Sequence, residues 1–192
     1  MLSEEFMKSI AIIAFLILLM TSSNAEPDSI TTGPYKVTFD LGIPKEAYRV
    51  EIADPATRES SHNECDITLV KEHDPSLNHE TGILCITLSS PKTEHKIIYT
   101  QDLLVKLWED DFSRSTNYYN TEVAGRKIDG YEGIIARGTI RAIDGPDMDS
   151  YWGVYDSPIT FVKLGSVHPF PWEEGIMRLI KTIHVEKINE TL

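Results

Sequence analysis

Asp129-Gly130 interrupts an otherwise strand-like stretch, residues 121–140, and limits what the chain on either side can become. A tight two-residue turn between antiparallel strands needs positive φ, which Gly supplies without steric cost. The dipeptide therefore predicts a hairpin. After the turn, Glu132, Ile134, Ala136, Gly138 and Ile140 share one strand face, and Tyr131, Gly133, Ile135, Arg137 and Thr139 share the other. Gly125, Gly133 and Gly138 predict bulges, or places where a helix or another backbone comes close. The stretch is expected to be the central hairpin of a sheet.

Alternation and turn residues place further strands around it. Residues 35–41 alternate cleanly, with Tyr35, Val37, Phe39 and Leu41 on one side. Strands are also expected at 47–52, 65–70, 83–88, 151–155 and 159–164, separated by Pro-, Gly- and Asp-bearing turns. Residues 100–112 predict a helix: Thr100 suits the N-cap, Asp102 suits the positive end of the dipole, and Leu104, Leu107, Trp108 and Phe112 form a stripe at helical spacing. Residues 172–182 predict a second helix, preceded by Pro171 and opened by Glu173 and Glu174. Its Ile176, Leu179, Ile180 and Ile183 recur at i, i+3, i+4 and i+7. The β-branched stretch 182–188 is expected to leave that helix extended. Sequential strands with two helices give an α+β class: an antiparallel sheet of about six to eight strands with both helices on one face.

The N-terminus is a targeting segment. Residues 10–20 are an unbroken apolar run of 11, followed by small residues at Ser23 and Ala25, so cleavage after Ala25 is expected. The run is shorter than the ~20 apolar residues of a membrane span, and the chain beyond it carries no stable span. Glu4 and Glu5 are unusual ahead of such a run, whereas Met7-Lys8 is an ordinary start, so translation from Met7 is the alternative to Met1. Residues 26–34 read as a flexible leader, 35–188 as a single domain and 189–192 as a tail. A secreted or cell-envelope location follows.

Charge narrows the partners. Without Glu4, Glu5 and Lys8 the chain keeps 28 acidic and 17 basic residues, a net charge of −11. Such a surface repels phosphate backbones and anionic membranes, so no nucleic-acid partner is expected, and the partner is expected outside the cytoplasm or in the cell envelope.

The order of elements resembles the PsbP-like fold of small exported domains. The early strand 35–41, the amphipathic helix 100–112, the glycine-punctuated hairpin and the closing helix running into Thr182-Ile183-His184-Val185 carry the likeness. The chain also looks like exported proteins of methanogenic archaea. The resemblance implies an accessory or binding module with no functional residue carried over, because a fold does not itself specify a function.

Few residues point to chemistry. Four of the six histidines (His62, His73, His79, His95) and both cysteines fall between residues 62 and 95. Imidazole and thiolate are ligands for zinc and copper, and His73 and His79, sharing one loop, are the better pair. Cys65 and Cys85 are disulfide candidates in an exported chain. Parity opposes the bridge, since Cys65 shares a face with Ile67 and Leu69 while Cys85 alternates with Leu84, Ile86 and Leu88. A bridge therefore needs a bulge, and two free thiols are the alternative. Asp144, Asp147 and Asp149 offer oxygen ligands but miss the calcium-loop spacing. Asn189-Glu190-Thr191 is a glycosylation sequon. Tyr151, Trp152 and Tyr155 alternate on one strand, so one of its two faces is a candidate aromatic binding patch. Gly-x-Ser-x-Gly, His-Glu-x-x-His, Cys-x-x-Cys, Gly-x-Gly-x-x-Gly and Walker patterns are all absent. The expected function is an exported, non-enzymatic binding or accessory domain without a cofactor. The alternatives are a zinc- or copper-binding protein and an exported hydrolase.

Overall fold

The computed structural model describes residues 27–53, 65–71, 81–89, 99–141, 146–167 and 170–188. The apolar leader, His73, His79 and Asn189 lie outside the described residues, as do His62, His95 and Asp144. The class is α+β: two helices pack on a seven-stranded antiparallel sheet, beside a small three-stranded sheet.

The strands are β1 Asp28–Thr32, β2 Tyr35–Phe39, β3 Tyr48–Ile52, β4 Ile67–Lys71, β5 Gly82–Leu88, β6 Tyr118–Ile128, β7 Tyr131–Ile140, β8 Met148–Asp156, β9 Phe161–Ser166 and β10 His184–Lys187. The helices are α1 Gln101–Arg114 and α2 Glu173–Thr182. The main sheet runs β3-β4-β5-β9-β8-β7-β6, and the small sheet runs β1-β2-β10.

Residues 28–32 are therefore not a flexible leader. They form β1, which pairs with β2 through a turn whose Gly33 has φ +52°. The small sheet closes when β10, arriving straight from α2, pairs with the other side of β2. Tyr35, Val37 and Phe39 of β2 thus face the core from a second sheet, not from the main one as the sequence suggests.

The hairpin forms as its turn dictates. Asp129 and Gly130 take φ +51° and +79°, the two positive values of a type I′ turn, between the closing pair Ile128 and Tyr131. It is not central, however: β6 is the last strand of the main sheet. A bulge interrupts β6, because Tyr119 pairs with Thr139 and Glu122 with Arg137, leaving Asn120 and Thr121 opposite Gly138 alone. A Cβ on Gly138 would stand 3.1 Å from Thr121 Cγ2.

The helices lie on opposite faces of the main sheet, which corrects the one-face expectation. β8 shows why: Tyr151 and Tyr155 join the large core cluster with Ile176, Leu179 and Ile180 of α2, while Val154 joins Leu104 of α1. Neighbouring residues on a strand point to opposite faces. Close helix approach occurs at Gly153, where a Cβ would lie 2.6 Å from Ile180 Cγ1. Trp172 enters the same core between two glycines, with Lys71 Nζ 5.3 Å from its ring centre. A Cβ at Gly82 would meet Trp172 Cβ at 2.7 Å, and one at Gly175 would meet the indole at 2.4 Å. Thr182 ties α2 to the small sheet, its hydroxyl accepting from Asp40 N–H at 3.0 Å and lying 2.9 Å from Asp40 carbonyl oxygen.

Cys65 and Cys85 form a disulfide with Cα atoms 5.3 Å apart. The alternation that argued against it does not reach Cys65, because β4 starts at Ile67. Asp66 donates its N–H to Ile86 carbonyl oxygen just before the ladder, and its carboxylate accepts from Leu88 N–H. Cys85 itself lies on the face of β5 away from the large core.

Candidate functional site

Three places gather polar or aromatic chemistry among the described residues. The first is an open basin of about 620 Å³ at the bulge of β6, lined by Asn120, Thr121, Glu122, Arg137, Gly138, Thr139 and Asp149. Asn120 holds φ +50°, a left-handed conformation uncommon outside glycine but tolerated by Asn. Bulges re-aim side chains, and here the extra residue opens the strand edge. Arg137 Nε donates to Glu122 Oε2 at 2.9 Å, and Thr139 Oγ1 donates to Asp149 Oδ1 at 2.7 Å. Tyr119 hydroxyl donates to Asp147 at 2.6 Å, and the Arg141 guanidinium lies 5.5 Å from the Tyr119 ring centre. That hydrogen bond raises the Tyr119 pKa. Tyr151 pairs in register with Arg137, and its pKa is pushed up to about 12 by burial and by its bond to Glu173. The lining thus mixes donors and acceptors, with Arg137 already set against Glu122 and Thr139 against Asp149.

Asp147 and Asp149, candidates for a hard-cation site, are engaged by Tyr119 and Thr139. Among the described residues, no three His, Cys, Asp or Glu side chains converge on a point that could hold a metal.

The second place is the aromatic group. Tyr151 and Tyr155 are buried in the core beneath α2. Trp152, on the other face, is covered by Trp108, Phe112 and Tyr118, with ring centres 5.4–5.6 Å from its own. The strand thus offers no open aromatic patch; Tyr151 and Tyr155 fill the contact with α2 and Trp152 the contact with α1. Sequence periodicity could not reveal this, because both faces of β8 carry bulky residues. Beside that cluster a groove of about 390 Å³ lies between α1 and β9, floored by Val154 and Phe161 and bordered by Leu107 and Lys163.

The third place was not legible in the sequence. Asp129, in the hairpin turn, has a carboxylate only 7% exposed. It accepts from Tyr155 hydroxyl at 3.0 Å and from Val185 N–H at 2.9 Å, and its second oxygen lies 2.7 Å from His184 Nδ1. Burial raises the Tyr155 pKa, with the Asp129 charge adding to it. A histidine oriented by a buried carboxylate is one half of a general-base arrangement. Among the described residues, no serine, threonine or cysteine is bonded to the His184 imidazole, and both cysteines are oxidised. What the arrangement does is mechanical: the turn of the large sheet is fastened to β10 of the small one. A signal was present, since Asp in a type I′ turn projects a short acceptor, but its partners lie 26, 55 and 56 residues away.

No protein-family model matches the chain, and no curated protein matches its sequence. Among the described residues, no helix is long and apolar enough to cross a membrane.

Proposed function

We propose that the chain is an exported, non-enzymatic binding or accessory domain, and that the basin at the β6 bulge is its binding surface. The observation that carries this reading is the basin itself: an open polar concavity where carboxylate, guanidinium, hydroxyl and amide groups line one wall. Its one cation, Arg137, is paired with Glu122, Asp149 keeps its charge, and the whole chain is acidic, which disfavours anionic ligands. Interleaved donors and acceptors suit a hydroxyl-rich neutral ligand, whose every group can both donate and accept. Export is supported by the apolar leader and by the Cys65–Cys85 bridge, which persists in oxidising surroundings. The PsbP-like reading belongs to this proposal and is supported by the amphipathic helix, the hairpin and the closing helix.

The test is calorimetric titration of the purified protein with a panel of neutral oligosaccharides, repeated with Arg137→Ala. Loss of one charged hydrogen bond, about 1.5–3 kcal/mol, predicts at least tenfold weaker binding in the variant. Absence of binding across the panel, or equal binding by both proteins, would contradict the proposal.

A further inference from the structure

The free edge of β6 is complementary to itself. Ile128 and Tyr131 close the two-residue turn, and the pair closing such a turn exchanges both ladder hydrogen bonds. Alternation then turns the backbone groups of Arg126, Ala124 and Glu122 towards β7. Those of Lys127, Gly125 and Val123 point off the sheet, where β6 has no neighbouring strand among the described residues. Between the bulge and the turn, residues 122–128 keep an unbroken register with β7. At the centre of that run are Ala124 and Gly125, both exposed and small.

We propose that two copies of the chain pair antiparallel through this edge, about a two-fold axis at Ala124. This inference does not depend on the basin being a binding site. In that register Val123 and Gly125 exchange their outward hydrogen bonds with Gly125 and Val123 of the second copy. Ala124 faces Ala124 of the second copy at a position where ladder bonds point away and Cα atoms approach to ~4.5 Å, which small side chains permit. Glu122 lies opposite Arg126 of the second copy, and Arg126 opposite Glu122 of the second copy. Opposite charges placed directly across a ladder stabilise it, and like charges destabilise it.

Charge selects this register over its neighbours. Residues directly opposite must point to the same face, so only pairings centred on a residue are open. Centring one residue to either side sets Glu122 against Ala124 or Ile128 and loses both ion pairs. Centring two residues away sets Glu122 against itself or Arg126 against itself. The intramolecular contacts leave both groups available: Glu122 uses Oε2 on Arg137, and Arg126 has no ion-pair partner among the described residues. Charged residues usually protect a sheet edge from association; here they are spaced to admit one pairing, an isologous one. It also brings Lys127 of the second copy opposite Thr121, one of the residues lining the basin.

Sedimentation velocity of the purified protein tests the proposal, with Glu122→Arg, Arg126→Glu and the double exchange. Both side chains concerned are exposed, and circular dichroism checks that each variant is folded. The wild type is expected at twice the chain mass, each single variant at the chain mass, and the double exchange back at twice the chain mass. A monomeric wild type at every concentration, dimeric single variants, or a double exchange that stays monomeric would each overturn it.

Discussion

α1 is the longer helix, 14 residues against 10 for α2, yet it is the less buried of the two. Only Leu104 and Phe112 of α1 are fully enclosed, whereas α2 buries Gly175, Ile176, Leu179 and Ile180. Leu103 and Leu107 of α1 remain 38% and 46% exposed. The two faces of the sheet differ accordingly. Against α2 the sheet meets a second sheet as well, and the three elements share one large core. Against α1 it meets a single helix through a small cluster of aliphatic residues and rings. Helix length is thus a poor guide to stabilisation, which scales with the apolar area removed from water.

The largest expected effect breaks the comparison outright. Leu179→Ala removes a fully buried side chain and is expected to cost about 2–5 kcal/mol. Leu107→Ala, on the exposed shoulder of α1, is expected within about 0.5 kcal/mol of wild type. Urea unfolding of the two variants side by side measures both. Equal losses would mean that α1 is as well packed as α2.

How much of this was legible depended on which signals were local. The hairpin turn, the Thr100 cap and the stripe of α2 are written within a few residues each, and they stand where the alternation and caps put them. Thr100 Oγ1 does accept from Leu103 N–H at 3.4 Å. The second sheet was hidden because β2 meets β10 some 150 residues away, with Lys36 bonded to Glu186 at 2.7 Å. The opposite placement of the helices was hidden because Tyr151, Trp152, Val154 and Tyr155 leave no polar side to β8. Of the candidate site, Gly138 was legible as a bulge marker. The residues it faces were not, because Asn120 and Thr121 belong to no apolar pattern.

A subtler contrast lies in two glycines, one under each helix. A Cβ at Gly153 would press on Ile180 Cγ1 at 2.6 Å, deep in the core, so Gly153→Ala is expected to cost about 1–3 kcal/mol. A Cβ at Gly125 would meet Gln101 Cδ at the same 2.6 Å, but that side chain is partly exposed and can swing away. Gly125→Ala is therefore expected to change stability by less than about 0.5 kcal/mol. Thermal unfolding of both variants sharpens the comparison, and a reversed order would show that α1, not α2, sets the tighter contact.

Amide hydrogen exchange on the native protein tests the contrast between the two faces most directly. Protection should be greatest in α2 and in β8 beneath it, with exchange there requiring global unfolding, while α1 opens at a distinctly lower free energy. Equal protection of the two helices, or slower exchange in α1, would contradict the account.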